Sequence, residues 1–455
     1  MAITTVNPST GEEIASYTEM SSSQIAEILS STEEAFQSWR RVGLNDRIDA
    51  LRRLAGRLRE HAGNYAQLMA EEMGKPLSAG EQEIHKCAWV CDYYADTAPA
   101  ALADQIVDSD ASRSFVSFQP LGVVLAIMPW NFPFWQVVRF AAPTVTAGNA
   151  AILKHAPNVT GCGLALEELF REAGYPEHLF RTMLIDVPEV DAVIRDDRVK
   201  AVTLTGSTRA GRAVAAAAGS VIKKTVLELG GSDPSVVLAD ADLDVAADAC
   251  VTSRLNNSGQ SCIAAKRLIV VEDVRSDFQT RVLDRMSEAI LGSPMDPSTT
   301  LGPLARADLR DNLHRQVTAS VANGARAVLG GELPDGPGFF YPPTLLTDVG
   351  PGMPAYDEEL FGPVVSIIAV ADEQEALQVA NATVYGLGAS IYTRDEHKGE
   401  RLAAEWLEAG ACFVNSFVRS DPRLPFGGIK QSGFGRELSP MGIREFVNVK
   451  TVWVA

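Results

Sequence analysis

Short apolar runs alternate with stretches of helical periodicity along most of the chain beyond residue 122. Such runs are typical of strands buried on both faces, and a helix between two of them forms the crossover of a βαβ unit. The alternation therefore predicts an α/β fold built on parallel sheets. The first series comprises strands at 123–128, 151–154, 201–205 and 225–229, with helices near 160–173 and 208–218.

A second series follows Gly230 and Gly231, which mark a break between two α/β units. The length agrees with two or three units, because domains usually contain ~100 to 200 residues. The strands predicted in this series are 235–238, 268–271, 364–370, 389–392 and 411–414.

Two outer parts of the chain follow other patterns. Residues 21–105 carry apolar side chains at helical spacing and predict a helical lead-in. Residues 114–119 alternate between polar and apolar side chains, and residues 446–454 are rich in strand-forming residues. We expect residues 446–454, like residues 106–119, to form an edge hairpin that pairs across subunits.

The composition limits the partners and the compartment. A formal net charge of −18 at pH 7 repels nucleic acid and anionic membranes, so we expect neither as a partner. No apolar run approaches the ~20 residues that cross a bilayer, and the start of the chain lacks a leader pattern, so we expect a cytoplasmic protein. Cys87 and Cys91 lie one helical turn apart, but no second Cys or His pair completes a zinc site, and we expect no metal.

Cys262 ends the small, polar run NSGQSC, where little apolar surface can bury it. Most free cysteines are inert core residues, and this setting argues against that interpretation. Residues 263–265 and 246–255 have helical character, so we expect a thiolate nucleophile stabilised at a helix N-terminus. None of the six histidines lies in a motif typical of a general base, which disfavours a Cys-His hydrolase.

Glu228 lies between Leu227 and Leu229, at the predicted carboxyl end of a buried strand, where open α/β sheets place their clefts. Apolar surroundings raise the pKa of a carboxyl group, which suits a general base. The alternative is an ion pair with Lys223 or Lys224 at the surface.

Two further motifs stand at strand ends. In TLTGSTRAG, Gly206 allows a tight turn and Ser207 with the helix amides can meet a pyrophosphate, although Ser207 also fits a simple helix cap. In MPWNFPFWQ, Asn131 follows Trp130 in an aromatic wall and can donate to a developing oxyanion, the alternative being a turn asparagine satisfied by its own backbone.

The motifs PWNFP, KHAPN, TGS, ELGG, GQSC, EELFGPV and PFGGIKQSGFGRE occur in one order, and together they resemble the aldehyde dehydrogenase superfamily. Within it, MPWNFPFWQV, LKHAPN and ELGGSDP are most similar to bacterial succinate semialdehyde dehydrogenases that use NAD(P). The resemblance covers practically the whole chain. It implies two Rossmann-like α/β domains with a small β-hairpin oligomerisation module.

The resemblance also implies an organisation and a reaction. The cofactor-binding domain would comprise residues 1–105 and 121–229, the catalytic domain residues 230–435, and the oligomerisation module residues 106–120 and 436–455, assembled as a homodimer or homotetramer. NAD or NADP would oxidise succinate semialdehyde to succinate through a cysteine thiohemiacetal and a thioester. A broader aldehyde dehydrogenase, acting on glutarate semialdehyde, lactaldehyde or aromatic aldehydes, is the alternative.

Residue roles follow from the same resemblance. Cys262 is the expected nucleophile, Glu228 the base, and Asn131 with the backbone amide of Cys262 the oxyanion hole. The residues expected to bind the cofactor are Trp130, Lys154, Pro157, Gly206, Ser207, Glu359 and Phe361. Lys154 would bind the adenosine ribose, Ser207 the pyrophosphate, and Glu359 with Phe361 the nicotinamide ribose and ring.

Substrate and cofactor preference are inferred from a few positions at which members of the family differ from one another. Arg139 matches an arginine that semialdehyde-specific members use for the distal carboxylate, and its alternative is a structural ion pair. Asn256 stands where some members have a second arginine, and Ser420 would supply the missing hydrogen bond. Pro157 replaces a glutamate that repels the 2′-phosphate, so we expect NADP to be used at least as well as NAD.

The same residues distinguish two rival interpretations, a CoA-acylating enzyme and a non-catalytic protein. An enzyme that passes the thioester to CoA commonly lacks a base at the position of Glu228. A non-catalytic protein of the same fold has no need of Cys262, Glu228 and Asn131 together.

Overall fold

The computed structural model describes residues 2–455. Strands and helices alternate over most of this range, as expected. The strands are β1 (Ala2–Val6), β2 (Glu13–Thr18), β3 (Gln105–Ile106), β4 (Arg113–Pro120), β5 (Val123–Met128), β6 (Ala150–His155), β7 (Phe180–Thr182), β8 (Val199–Thr205), β9 (Lys224–Glu228), β10 (Pro234–Val237), β11 (Arg267–Val271), β12 (Arg326–Leu329), β13 (Thr344–Thr347), β14 (Val364–Val370), β15 (Gly388–Tyr392), β16 (Ala411–Val414), β17 (Gly433–Phe434) and β18 (Val447–Val454).

The helices are α1 (Ser22–Trp39), α2 (Leu44–Glu60), α3 (Ala62–Met73), α4 (Leu77–Ala101), α5 (Trp135–Thr146), α6 (Thr160–Glu172), α7 (Val187–Arg195), α8 (Thr208–Ser220), α9 (Leu243–Leu255), α10 (Glu272–Ser287), α11 (Ala307–Ala322), α12 (Pro354–Asp357), α13 (Glu373–Asn381), α14 (Glu396–Glu405) and α15 (Ser439–Arg444). Short 3-10 turns lie at Pro157–Val159, Asn256–Gly259 and Lys430–Ser432.

The first sheet has the order β17-β9-β8-β5-β6-β7, and its strands from β9 to β7 are parallel. The predicted strands of the first series are thereby confirmed. Because they are parallel, the segments after β5, β8 and β9 all leave the sheet at one edge. Strand β17 runs antiparallel to β9, with Gly433 opposite Glu228. Residues 433–434, assigned from sequence to the catalytic domain, thus join the first sheet.

The second sheet has the order β12-β13-β14-β11-β10-β15-β16 and is parallel except for β12. Its predicted strands are also confirmed. Cys262 lies in the segment that enters β11, and Glu359 in the segment that enters β14. Since β11 and β14 are parallel neighbours, both segments stand at the same edge of this sheet.

The helical lead-in packs against the first sheet because each helix carries one apolar stripe. In α2 the residues Ile48, Leu51, Leu54 and Leu58 are buried, and they belong to one hydrophobic cluster with strands β5 and β6. Helix α1 begins at a capping box formed by Ser21 and Gln24.

A small sheet of order β18-β4-β3 stands apart from the two large ones. Strand β18 pairs with β4 in antiparallel register from Val447 opposite Pro120 to Val454 opposite Arg113, so this pairing lies within one chain. Large apolar side chains on it remain exposed, among them Ile106, Val449 and Trp453. Over residues 2–455, no helix is both long enough and apolar enough to cross a membrane.

A buried ion pair between Lys75 and Glu83 connects the lead-in to the segment before α5. The other carboxylate oxygen of Glu83 accepts hydrogen bonds from the backbone amides of Phe134 and Trp135, both at 2.9 Å. These amides belong to the first turn of α5, where the helix leaves donors free and favours a negative charge. Glu83 therefore fixes where the chain after Asn131 enters its helix.

We expect Glu83→Gln to lower the free energy of unfolding by about 3 to 5 kcal/mol, because the substitution leaves the buried Lys75 ammonium without a counter-charge. Urea unfolding followed by tryptophan fluorescence measures this change. Glu81→Gln, on an exposed position of the same helix, is the matched control. Equal unfolding midpoints for the two variants would contradict the role of the pair.

Candidate active site

A pocket of about 170 Å³ lies between α4, α5, the loop that carries Cys262 and the segment 417–420. Three residues that the sequence singled out line it together: Cys262, Arg139 and Ser420. Its walls also include Lys75, Lys86 and the aromatic residues Phe132, Trp135, Phe417 and Phe426. A thiol and several basic side chains therefore share one aromatic cavity.

Cys262 does not stand at a helix N-terminus, so that part of the prediction is wrong. Helix α9 ends at Leu255, and Cys262 lies in a turn before β11. The reason is that other partners take the local backbone groups. The amide of Ala265 donates to Ser253 Oγ at 3.0 Å, and the Lys266 ammonium donates to the carbonyl of Cys262 at 2.7 Å.

The turn before Cys262 is held in an unusual conformation. Asn257, Ser258 and Gly259 have φ values of 54°, 55° and 74°. This left-handed region is costly for residues other than glycine, and such conformations cluster at functional sites. A Cβ atom on Gly259 would lie 2.2 Å from the carbonyl of Gly362, so only glycine allows the two loops to approach.

The surroundings of the Cys262 thiol oppose its ionisation. Burial raises its pKa to about 12, and the carboxylates of Glu359 and Asp233 add to the rise, while Lys266 and Arg139 act in the opposite direction. The expected stabilisation of a thiolate is therefore absent. The resting group is a thiol at neutral pH.

Asn131 is anchored to the Cys262 loop from another part of the fold. Its Nδ2 donates to the carbonyl of Gln260 at 3.0 Å, and the Nδ2 of Asn257 donates to the carbonyl of Asn131 at 2.7 Å. The alternative of a turn asparagine satisfied by its own backbone is wrong. The amide of Cys262 donates to no partner among residues 2–455.

Glu228 ends β9 and is 2% exposed, and it does not line the pocket. The alternative of a surface ion pair is wrong, because Lys223 donates to backbone carbonyls and Lys224 pairs with Glu445 at 2.8 Å. Neither carboxylate oxygen of Glu228 has a hydrogen-bond partner in the described part of the chain. Burial, with a contribution from Glu437, raises its pKa well above the usual range.

The residues expected to bind the adenosine and the pyrophosphate lie at strand ends of the first sheet. Ser207 caps α8, accepting from the amide of Ala210 at 3.3 Å, after the turn at Gly206. Lys154 is half-buried at the end of β6, and its ammonium makes no hydrogen bond or ion pair with any described residue. Pro157 is exposed in the turn that follows, and it places no carboxylate there.

The residues expected at the nicotinamide end come from segments next to both sheets. The rings of Trp130 and Phe361 meet edge to face with centroids 5.7 Å apart. Glu359 accepts from the amide of Gly231 at 3.1 Å and lies 3.8 Å from the Lys266 ammonium. An unpartnered ammonium, a capped helix start and an aromatic pair are groups that suit a dinucleotide, so the residues present fit one.

Arg139 is buried, and its guanidinium pairs with Glu437 and lies 4.9 Å from the centre of the Phe426 ring. The structure thus places it in the pocket and also in an ion pair. Sequence reasoning identified Arg139 but missed five residues of this region: Lys86, Asp233, Asn257, Lys266 and Glu437. For Lys86 the available signal was its spacing from Ala79, Gln82 and Glu83, which places all four residues on one face of a helix.

No cluster of three or more His, Cys, Asp or Glu side chains is arranged for a metal ion within residues 2–455. The expectation of no metal stays a prediction.

We expect alkylation of Cys262 by iodoacetamide to accelerate about tenfold per pH unit from pH 7 to 9, because only the thiolate reacts and its pKa lies above this range. Peptide mass spectrometry of the labelled protein measures the rate at Cys262. Cys262→Ser reports the background, including the half-buried Cys412, whose pKa burial raises to about 11. A plateau below pH 8 would show that the thiol is activated in the resting protein.

Comparison with known proteins agrees with this geometry. The model of the aldehyde dehydrogenase family matches residues 1–452. A probable succinate-semialdehyde dehydrogenase [NADP(+)] from Synechocystis sp. is 49% identical over 100% of both chains, and succinate-semialdehyde dehydrogenase [NADP(+)] 1 from Mycobacterium tuberculosis is 46% identical, also over 100% of both. A crystal structure of succinic semialdehyde dehydrogenase from Streptococcus pyogenes with NADP+ superimposes with a TM-score of 0.97, at 38% identity and 100% coverage of both chains. The chain belongs to the aldehyde dehydrogenase family.

Proposed function

We propose that this protein oxidises succinate semialdehyde to succinate with NADP or NAD. The observation that carries the proposal is the pocket in which the Cys262 thiol shares its walls with Arg139 and other basic side chains. An aldehyde with a distal carboxylate complements such a cavity, because charge-assisted hydrogen bonds to a carboxylate are strong. The similarity to proteins named succinate-semialdehyde dehydrogenase over 100% of both chains supports the same substrate.

Cys262 is the proposed nucleophile. Its thiol gives up a proton to solvent, and the sulfur adds to the aldehyde carbon to form a thiohemiacetal. The negative charge that develops on oxygen is stabilised by the Asn131 amide and by the backbone amide of Cys262. NAD(P), when bound, supplies the acceptor for the hydride that leaves the former aldehyde carbon.

Glu228 is the proposed base for the second half of the reaction. The thioester is hydrolysed when water adds to its carbon, and Glu228 accepts a proton from that water. A raised pKa suits this exchange, since the carboxylate is then basic enough to accept a proton near neutral pH. Succinate leaves and the thiol is restored.

The proposed cofactor contacts come from both sheets. Lys154 binds the adenosine ribose, Ser207 faces the pyrophosphate after the turn at Gly206, and Glu359 with Phe361 binds the nicotinamide half, beside Trp130. Pro157 leaves space for a 2′-phosphate. Arg139 and Ser420 are the proposed contacts of the substrate carboxylate.

We infer three parts from this scheme. Residues 1–105 and 121–229 bind the cofactor, residues 230–435 carry the nucleophile, and residues 106–120 with 436–455 join subunits into a homodimer or homotetramer. The exposed apolar side chains of Val449 and Trp453 support the last assignment. The expected compartment is the cytoplasm.

The unmodified protein is expected to show a kcat/KM for succinate semialdehyde about tenfold to a hundredfold above that for butanal, because a charged hydrogen bond contributes about 1.5 to 3 kcal/mol. NADPH formation at 340 nm follows both reactions. Cys262→Ser should abolish turnover of both aldehydes. If butanal is used as well as the semialdehyde, the broader aldehyde dehydrogenase is the correct function.

For the cofactor, we expect kcat/KM with NADP to be at least comparable to that with NAD. Pro157→Glu should lower the NADP value by about tenfold or more with little change for NAD, since a carboxylate repels the 2′-phosphate. Pro157→Gln, which lacks the charge, is the matched control. A preference for NAD of a hundredfold or more in the unmodified protein would contradict this prediction.

A further inference from the structure

Helix α4 presents one face to the pocket that contains Cys262. Ala79, Gln82, Glu83 and Lys86 line the cavity, and their spacing places them on one side of the helix. Lys86 lies toward the segment 417–420, and its Nζ donates to Ser420 Oγ at 2.7 Å. The ammonium also lies 4.3 Å from the centre of the Trp135 ring. Lys86 is thus held on the pocket wall by a neutral hydroxyl and an aromatic face.

The charged groups around Lys86 are already engaged with other partners. Arg139 pairs with Glu437. Glu83 pairs with Lys75 and accepts from two backbone amides. Neither carboxylate therefore forms an ion pair with Lys86.

Asp421 follows Ser420 and is also engaged. Its two oxygens accept from Arg423 Nε at 2.9 Å and Arg423 Nη2 at 2.6 Å. Within residues 2–455 no carboxylate oxygen lies within 4.0 Å of Lys86 Nζ. A lysine ammonium has three donors, so a hydroxyl partner leaves donors free for a ligand.

From this arrangement we propose that Lys86 is a specificity-determining residue that binds the distal carboxylate of the aldehyde substrate. The proposal rests on the proposed function and adds a contact to it. Arg139 shares its charge with Glu437, whereas Lys86 offers an uncompensated cation in the same cavity. The Ser420 hydroxyl orients the ammonium by accepting one hydrogen bond from it. The remaining N–H groups of Lys86 donate to the substrate carboxylate.

The ionisation of Lys86 is sensitive to these surroundings. Burial lowers its pKa to about 8, and Arg139 contributes to the decrease, while Cys87, Glu83 and Asp421 oppose it. Arg419 stands exposed at the rim of the pocket. As the pH rises through about 8, Lys86 loses its proton and its positive charge. A bound carboxylate would therefore be held less well above this pH.

The test compares Lys86→Met and Lys86→Arg with the unmodified protein on succinate semialdehyde and on butanal. We expect Lys86→Met to raise KM for the semialdehyde about tenfold or more, with kcat and the butanal kcat/KM within about twofold, because only the charged substrate loses a contact. Lys86→Arg keeps a cation and should retain most of the preference. Lys200→Met removes an exposed lysine near the start of β8 and is the matched control for net charge.

The pH dependence of KM gives a second measurement that a purely structural role would not change. In the unmodified protein, KM for the semialdehyde should rise above about pH 8 while KM for butanal does not. Lys86→Arg should lose this rise, because a guanidinium keeps its proton. Butanal turnover in the same samples reports whether each variant is folded.

The outcomes separate the two proposals. If the unmodified protein does not prefer the semialdehyde, the proposed substrate is wrong and the role of Lys86 falls with it. If the unmodified protein prefers the semialdehyde and Lys86→Met keeps that preference, the role of Lys86 alone is overturned. Equal losses on both aldehydes would also overturn it, since they would show a role in folding or in the chemistry.

Discussion

The hydrogen bond from Asn131 Nδ2 to the carbonyl of Gln260 is the contact on which the site depends. It joins a loop that leaves the first sheet to the loop that enters the second one. Glu83 fixes the first loop through the amides that follow Asn131, and the left-handed turn at Asn257 shapes the second. The proposed nucleophile and the proposed oxyanion donor lie next to different sheets, so they stay aligned only when both loops are held.

The same enclosure opposes the ionisation of both reactive groups. Burial raises the pKa of both the Cys262 thiol and the Glu228 carboxyl, so it works against a charge on either group. Bound substrate and cofactor change that balance, because they displace water and bring their own charges and dipoles.

Sequence patterns predicted the parallel strands well, because a short apolar run between two helices is too short to form a buried helix of its own. They placed Glu228 at a strand end, since Gly230 and Gly231 mark where β9 must stop. They failed at Cys262, where the residue types predicted a helix. The loop forms a turn instead, because Ser253 and Lys266 hydrogen-bond to its backbone. These hydrogen bonds depend on how the loop folds back on α9 and on the buried Lys266 side chain. Helical periodicity in the sequence does not predict them.

A protein with a net charge of −18 attracts an anionic substrate only through local compensation. In and around the pocket, the carboxylates form ion pairs with basic side chains: Glu83 with Lys75, Glu437 with Arg139, and Asp421 with Arg423. Of these three carboxylates only Glu83 lines the cavity, where Lys75 offsets its charge, and Lys86 remains without a carboxylate partner. The acidic exterior then disfavours anions that bind outside the pocket. Selectivity for a carboxylated aldehyde thus depends as much on how the acidic groups are paired as on the number of cations.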